Sequence, residues 1–501
     1  MADFVSSSYT KLRDVINETS NDALPPVSSI VAATKSLPAF FSPMGLGEEA
    51  TQAHLLSDIC PGFNGPKTSA NYYGFVTGGV FPIAEVADNI VTAFDQNVQV
   101  HLPNQSISTI VEGKALEMVV ELLRLGKGWD GRTFTTGATG SNILGLACGR
   151  EAVVKMRLEK VGEQAGPGEL GLLAACSKAG IKNIQVLTTM GHSSLYKAAS
   201  VVGLGRASVK EIPVSSQEPW RIDLDKLESE LKLSDEGIVS IVALSAGEVN
   251  TGRFSTDGLS TMRKVRALCD RYGAWLHADG AFGLFARSLP ATPEFQSLID
   301  TAAGLELVDS LAGDCHKMLN VPYDCGVFIT RSSSTLSLVF QNPNAAYLSS
   351  GPSDQPSPLN IGLENSRRFR ALPVYAVLLA YGQYGLGDMF ARQVRLARAV
   401  SEYLDSSDCY ELLPSGQSST NSDEQTKFSL THIIVLFRAK NDAINEELVT
   451  NINATRKMYV SGTKWEGKPA CRIAVSTWKV DVERDSELVK GVLEGVLNGT
   501  Q

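Results

Sequence analysis

The chain has 501 residues, of which 43% are hydrophobic and 20% are charged, and its formal net charge is −9. This length and apolar content suffice for a large buried core and exceed one ordinary domain, so we expect one large domain with smaller ones. The negative charge argues against nucleic acid or an anionic membrane as a partner.

The eight cysteines are scattered along the chain and include no C-x-x-C pair. Neither a zinc site nor a disulfide framework is predicted, and the pattern favours a reducing compartment. The first residues lack the apolar core of a signal peptide, and no apolar run approaches the roughly 20 residues that a membrane span needs. The sequence therefore predicts a cytoplasmic protein without a membrane segment.

The patterns along the chain predict three parts. Residues 1–70 carry interrupted helical patterns with Pro-rich breaks, which predicts an N-terminal helical segment. Within residues 71–370, helix-sized intervals separate short apolar runs, which is typical of an α/β domain with a mainly parallel sheet. Residues 371–501 predict a small C-terminal α+β domain, with a polar surface loop at 415–426 and a helix at 483–497. The predicted strands of the large domain are 184–188, 238–244, 274–279, 307–311 and 326–330.

The string TTGATG at residues 135–140 ends a short extended stretch and leads into a helical pattern at 143–158. Backbone N–H groups at such a helix start bind phosphate, with the helix dipole behind them. A plain helix cap and a dinucleotide-binding turn are the alternatives. The dinucleotide interpretation is disfavoured because the G-x-G-x-x-G spacing is not met, and the nearest acid at ribose distance, Glu159, lies inside the helical pattern.

Three chemically capable side chains follow predicted strands, where the active sites of parallel sheets lie. Asp279 ends the run 274–279, and a carboxylate there can hold a proton on a pyridine nitrogen and make the ring an electron sink. Lys317 lies in a compact turn after the run 307–311, where it can form an imine with an aldehyde. His192 follows the run 184–188, where its imidazole can stack on a ring and shuttle a proton.

Each of these residues can be explained by a purely structural role when it is considered alone. Asp279 would be a capping aspartate, Lys317 a solvated surface lysine and His192 a structural histidine. Their order on successive strands changes this assessment, because it is the order that a pyridoxal-phosphate (PLP) site needs.

Together, the phosphate turn, His192, Asp279 and the His316-Lys317 pair resemble the group II PLP-dependent amino-acid decarboxylases. That family includes the aromatic-amino-acid, histidine and glutamate decarboxylases. The resemblance covers about residues 71–478 and is most specific in the His-Lys pair and in RRFRAL at 367–372. It implies the aspartate-aminotransferase (type I) fold and the decarboxylation of an L-amino acid, with an aromatic substrate preferred, to the amine and carbon dioxide.

The resemblance also implies roles for individual residues. Lys317 would hold the cofactor as a Schiff base, Asp279 would pair with the ring nitrogen and His192 would stack on the ring. Tyr347 matches a mobile-loop tyrosine that protonates the substrate carbon after carbon dioxide leaves, and that reaches the neighbouring subunit of an obligate homodimer. The other matched positions are Ala281 against the ring, Ser245 as a cofactor-contacting hydroxyl, Ala138, Thr139 and His316 at the phosphate, and Thr77 near the substrate carboxylate.

Two departures from the family pattern stand out. The chain has SAGEV at 245–249 where the family usually has Thr-x-Gly-Thr-Thr, so Glu248 places an acid near the site without an assigned role. It also has ATGS at 138–141 where Gly-Ser-Glu-Ala is common, which leaves the side-chain contacts to the phosphate open.

Other functions remain open on the sequence alone. A PLP-dependent aldehyde synthase goes with loss of the loop tyrosine or the stacking histidine, and both residues are present. A carbon–carbon lyase on the same fold is a further alternative. An NAD-binding oxidoreductase built on the TGATG turn would leave Lys317, Asp279 and His192 without a role.

Overall fold

The structure is a computed structural model that describes residues 2–66, 68–343, 356–414 and 427–499. By their contacts, the residues form two compact units. One unit contains residues 80–394 and 416–434, and the other contains residues 1–79, 395–415 and 435–501. The predicted domain boundaries at residues 70 and 370 stay a prediction, because compactness alone does not show that a segment folds by itself.

The helices and strands follow each other along the whole described chain. The helices are α1 (Ala2–Glu18), α2 (Val27–Ser36), α3 (Glu48–His54), α4 (Pro82–Ala93), α5 (Ser108–Leu122), α6 (Ala138–Lys160), α7 (Pro167–Leu170), α8 (Leu172–Lys178), α9 (Ser193–Val201), α10 (Leu224–Lys232), α11 (Leu259–Tyr272), α12 (Gln296–Thr301), α13 (Cys315–Met318), α14 (Ser333–Phe340), α15 (Ala371–Ser406, broken at Gly382), α16 (Asp442–Ala454) and α17 (Val482–Leu497). The strands are β1 (Asn97–Val98), β2 (Gly131–Thr135), β3 (Asn183–Thr188), β4 (Val209–Glu211), β5 (Ile238–Ser245), β6 (Trp275–Asp279), β7 (Ser310–Asp314), β8 (Gly326–Thr330), β9 (Arg367–Arg368), β10 (Tyr410–Leu413), β11 (Ile434–Ala439), β12 (Ser461–Trp465) and β13 (Lys468–Ala474).

A seven-stranded sheet forms the centre of the larger unit, in the order β2-β8-β7-β6-β5-β3-β4. The strands from β7 through β4 in this order pair in parallel, whereas β8 is antiparallel to both of its neighbours. Strands β7 and β8 are buried along their whole length, as expected for strands covered on both faces. The predicted α/β class with a mainly parallel sheet is confirmed.

The C-terminal residues form a four-stranded sheet in the order β10-β11-β13-β12, with α16 and α17 close by in sequence. Strands β10 and β11 pair antiparallel, as do β12 and β13. This is the α+β arrangement predicted for this end of the chain. Among the described residues, no helix combines the length and the apolar character that a membrane crossing requires.

One predicted strand was placed too early. The run 307–311 was predicted as a strand, but β7 is Ser310–Asp314, because Leu305–Leu307 form a 3-10 turn instead. The prediction ended too early because Gly313 and Asp314 are not typical strand residues, although both are buried in the sheet. The correction makes Asp314 the last residue of the strand that leads to Lys317.

Helix α6 lies very close to the sheet because two of its residues lack side chains. Gly145 and Gly149 are four positions apart and so share one face of the helix. A methyl group at Gly145 would lie 2.5 Å from Cε1 of His277, and one at Gly149 would lie 2.9 Å from Cδ1 of Trp275. These contacts hold the start of α6 against β6, the strand that ends at Asp279.

We expect Gly145→Ala to lower the free energy of unfolding by about 1–3 kcal/mol, because the new methyl group collides with the buried His277 ring. Gly491→Ala in α17 is the matched control, since nothing lies within 4 Å of its new methyl group. That control should gain about 0.5–1 kcal/mol from helix propensity. Urea titration of both variants measures the difference, and equal effects would contradict the close packing of α6.

Candidate active site

The ends of β5, β6 and β7 bring several predicted site residues to one edge of the sheet. Ser245 is the register partner of Asp279 on the neighbouring strand, and Asp279 is opposite Ala312 of β7. The N–H of Asp314 donates to the carbonyl of Ala281 at 3.1 Å, which continues the pairing past the end of β6. Helix α13 then begins at Cys315 and carries Lys317.

Asp314 connects the lysine turn with the predicted phosphate turn. Its Oδ2 is 2.9 Å from Nζ of Lys317, and its Oδ1 accepts a 2.5 Å hydrogen bond from the N–H of Ala138 at the start of α6. Nε2 of His316 lies 3.6 Å from the same Oδ1. The carboxylate is almost fully buried, and the amine of Lys317 is only partly exposed.

Asp279 is held by the second turn of helix α6, one turn after Ala138. Nδ2 of Asn142 donates to Oδ2 of Asp279 at 2.7 Å, and the N–H of Ala281 donates to Oδ1 at 3.3 Å. Ala138 and Asn142 are four residues apart, which is about 6 Å along a helix axis. The first turns of α6 therefore bring Asp279 close to the Asp314-Lys317 pair.

The turn before α6 packs closely against its neighbours and has a backbone conformation that favours glycine. Gly137 has a φ of 153°, and a methyl group there would lie 3.3 Å from Cε1 of His316 and 3.4 Å from Oδ1 of Asp314. A methyl group at Gly326 of β8 would come within 2.5 Å of Cα of Gly137. Thr139 is half-buried in the first turn of α6. The TTGATG string therefore forms a narrow cradle that His316 and Asp314 border.

His192 is the N-cap of α9, and its ring is exposed. Its Nδ1 accepts from the N–H of Ser194 at 3.2 Å and is 2.8 Å from Oγ of the same serine. The cap contact fixes the direction of the ring, while its exposed part remains able to meet a planar ligand.

Two buried imidazoles support this edge of the sheet. His277 in β6 is fully buried, which lowers its pKa to about 4 although the negative charge of Asp279 acts in the opposite direction. Burial also lowers the pKa of His316, whose Nδ1 accepts from the N–H of Cys325 at 3.1 Å. Both rings are therefore neutral at pH 7.

Glu248 has a structural position in the folded chain. It is almost fully buried, and its carboxylate accepts from the N–H of Asn250, the N–H of Thr251 and the hydroxyl of Thr251, each at 2.9 Å. These bonds close the turn after β5. The acid that departs from the family pattern thus stabilises a loop through bonds to its own neighbours.

The roles predicted for Thr77 and Tyr347 are not tested by the contacts described above, for different reasons. Thr77 belongs to the unit that contains residues 1–79 and is buried. It directly follows Phe75 and Val76, which have φ values of 62° and 58°, a strained conformation that costs roughly 1–3 kcal/mol per residue. Tyr347 lies outside the described residues. The predicted roles of both stay predictions.

Sequence reasoning missed two residues that hold the site together. Asp314 lies three residues before Lys317, and Asn142 lies two residues after the glycine-rich turn at 135–140. The available signal for Asp314 was an acid three residues before a candidate catalytic lysine. Asn142 gave a weaker signal, because a polar residue in the first turns of a helix is usually a cap or a solvated side chain.

The residues present fit PLP. Lys317 offers an amine for its aldehyde, Asp279 a carboxylate for its ring nitrogen, and the α6 N-terminus a dipole for its phosphate.

Comparison with known proteins agrees with this fit. The profile described as "Pyridoxal-dependent decarboxylase conserved domain" matches residues 83–419. The chain is 25% identical over 377 residues to L-2,4-diaminobutyrate decarboxylase of Acinetobacter baumannii, covering 74% of this chain and 67% of that protein. It is 24% identical over 452 residues to tryptophan decarboxylase 1 of Oryza sativa subsp. japonica, covering 86% and 80%. The crystal structure of Oryza sativa TDC with PLP and tryptamine superposes with a TM-score of 0.81 at 22% identity, covering 100% of this chain and 98% of that one.

The chain belongs to the pyridoxal-dependent decarboxylase family. It is a PLP-dependent carboxy-lyase that acts on an amino acid, as the resemblance implied.

The low pKa of His277 predicts a pH-dependent stability. The unfolded chain binds a proton as pH falls through about 6.5, whereas the folded chain resists protonation down to about 4. The contribution of His277 to the free energy of unfolding is therefore fully present above pH 6.5. It is lost between pH 6.5 and 4, and amounts to about 3 kcal/mol for a shift of this size. His316 contributes in the same direction.

We expect His277→Gln to flatten the loss of unfolding free energy between pH 6.5 and 4.5, measured by urea titration at several pH values. Asn445→Ala in α16, which removes a buried side chain without a titratable group, serves as the control and should leave the slope as it is in the wild type. An unchanged slope in His277→Gln would show that this imidazole does not stay neutral in the folded protein.

Proposed function

We propose that the chain decarboxylates an L-amino acid, with an aromatic one preferred, at a PLP site formed by Lys317, Asp279 and His192. The observation that carries this proposal is the convergence of α6 on two strand ends. Ala138 binds Asp314 beside Lys317, and Asn142 binds Asp279 one helical turn later.

In this proposal each side chain has a separate task. When bound, PLP supplies an electron sink for the electron pair that the departing carboxylate leaves behind. Lys317 holds the aldehyde carbon of the cofactor, Asp279 keeps a proton on its ring nitrogen, and the exposed ring of His192 covers one face. Ala281 packs on the other face, and the hydroxyl of Ser245 contacts the cofactor beside Asp279.

The phosphate position follows from the bonds at the start of α6. The N–H of Ala138 already donates to Asp314, so Thr139 and His316 are the proposed phosphate donors. Ala138 contributes by fixing the turn. The partial positive charge of the helix N-terminus offsets the negative charges of the phosphate and Asp314 together.

The remaining parts of the proposal concern the substrate and the assembly. Thr77 is proposed near the substrate carboxylate, and Tyr347 as the donor that protonates the substrate carbon. A lid that carries Tyr347 must exclude water, since bulk solvent would otherwise compete as the proton donor. We propose a homodimer in which Tyr347 serves the partner's site, in a cytoplasmic enzyme.

Borohydride reduction of the purified protein with PLP should fix the cofactor to Lys317, because its amine is the one paired with Asp314 at the strand end. Peptide mapping identifies the labelled lysine. Lys317→Ala should remain unlabelled, whereas Lys479→Ala, which removes another partly buried lysine, should label normally. A label on a different lysine would refute the assignment.

The same preparation, incubated with single amino acids, should release carbon dioxide and amine in equal amounts, most rapidly with an aromatic substrate. Ammonia, hydrogen peroxide and aldehyde in place of amine would identify an aldehyde synthase and contradict the proposal.

Tyr347→Phe should bind substrate and release carbon dioxide but form less amine, because the proton donor is lost. Oxygen then takes the electrons, which gives aldehyde, ammonia and hydrogen peroxide.

Mixing Lys317→Ala with Tyr347→Phe subunits should restore part of the amine-forming activity if the tyrosine acts across the dimer. A Tyr347→Phe enzyme that forms amine at the wild-type rate would exclude the donor role, and inactive mixtures with confirmed subunit exchange would exclude the shared site.

A further inference from the structure

Asn142 joins two residues that the proposed function uses separately. It is fully buried, and its Nδ2 donates to Oδ2 of Asp279 at 2.7 Å and to Oγ of Ser194 at 3.1 Å. Its Oδ1 is 2.9 Å from Nε2 of His277. These bonds use both amide hydrogens and one carbonyl lone pair.

The charge of Asp279 determines how the amide is oriented. A carboxylate only accepts hydrogen bonds, so the NH₂ group must face it, and the reverse orientation would bring two acceptors together at 2.7 Å. The Oδ1 atom must then accept from Nε2–H of His277. On the other side of this ring, Oγ of Ser310 accepts from Nε1 of Trp275 at 3.0 Å and donates to Nδ1 of His277 at 2.8 Å.

The direction of these bonds continues to His192. Oγ of Ser194 accepts from Asn142, so its own hydrogen points to Nδ1 of His192 at 2.8 Å. The N–H of Ser194 donates to the same nitrogen at 3.2 Å. Because Nδ1 accepts in both contacts, the neutral form of the ring carries its proton on Nε2.

We infer that Asn142 is a positioning residue that orients the Asp279 carboxylate and, through Ser194, sets the Nε2–H tautomer of His192. The catalytic consequence rests on the proposed function, in which Asp279 and His192 hold the ring nitrogen and one ring face. A change at Asp279 therefore reaches His192 through one buried amide. Neither residue has to contact the other for the two to respond together.

The tautomer of His192 can be read without cofactor or substrate. The chain has six histidines, so ¹⁵N-histidine labelling gives few signals, and His192→Gln assigns the relevant one. Two-bond ¹H–¹⁵N spectra at pH 8, above the ordinary histidine pKa of about 6.5, distinguish protonated from unprotonated ring nitrogens. The wild-type protein should show a single tautomer with the proton on Nε2.

Separate variants test each hydrogen bond between Asp279 and His192. Asn142→Ala and Ser194→Ala should each raise the fraction of the Nδ1–H tautomer of His192, because only the longer 3.2 Å bond from the backbone N–H of residue 194 then favours Nε2–H. Ser194→Thr, which keeps the hydroxyl, should restore the single tautomer. Asp279→Asn should also raise the fraction of the Nδ1–H tautomer, because the amide of Asn142 loses the charge that orients it. In an Asn142→Ala background, Asp279→Asn should have no further effect on His192.

Asn445→Ala is the matched control for the loss of a buried asparagine. Asn445 in α16 is also buried, accepts from the N–H of Ala439 at 3.1 Å and donates to the carbonyl of Pro469 at 2.9 Å. This variant should lose stability but keep the wild-type tautomer of His192. With PLP and substrate, Asn142→Ala should lose roughly 10- to 100-fold in kcat, by analogy with residues that orient the ligands of metal sites, with a smaller change in KM.

A single Nε2–H tautomer in Asn142→Ala, or the same disturbance in Asn445→Ala, would overturn the inference. If Asn142→Ala does not fold, unchanged tautomers in both Ser194→Ala and Asp279→Asn would overturn it equally. If the variants show the predicted tautomers but the wild-type protein releases no carbon dioxide from amino acids, the proposed function is refuted and the positioning role of Asn142 stands. The two hypotheses can therefore fail separately.

Discussion

The site depends on one buried carboxylate. A charge inside a protein is stable only when it is paired and hydrogen-bonded, and Asp314 meets this condition with Lys317, Ala138 and the nearby His316. The same interaction has a geometric effect, since it joins the end of β7, the first residue of α6 and the turn that carries the lysine. A change at Asp314 would therefore disturb three elements, and this explains why the glycine turn and the lysine turn, which are 176 residues apart, form one site.

Two features position α6 against the sheet: glycines on the face towards β6, and a polar contact from its second turn. Gly145 and Gly149 allow the helix to approach β6, and Asn142 then reaches Asp279 at the end of that strand. The close approach buries His277, which keeps its imidazole neutral and gives the amide of Asn142 a donor to accept from. Packing and hydrogen-bond direction are thus coupled, because a helix further from the sheet would expose this ring to water.

The sequence predicted the sheet well where the apolar runs were continuous. Strand β8 was predicted with its observed limits, and β5 differed only by Ser245 at its end. The prediction failed at β7, where Gly313 and Asp314 interrupted the run, because a buried acid looks like a strand boundary until its partners are known. For the same reason α6 was predicted to start at residue 143, although the helix begins at Ala138 once Asp314 accepts the N–H at its start.

The site residues divide in the same way. Lys317, Asp279 and His192 could be proposed from the sequence because each follows an apolar run, and their chemistry is visible in a single side chain. Asn142 could not, because its partners are 52 and 137 residues away. Asp314 could be suspected only from its spacing to Lys317, since its other partner, Ala138, is 176 residues away. The structure adds an exposure gradient that no pattern contains: the ring of His192 is exposed, Lys317 is partly exposed, and the residues behind them are buried. Groups that must meet a ligand are thereby held by buried, hydrogen-bonded groups, which is the arrangement that keeps a reacting geometry fixed.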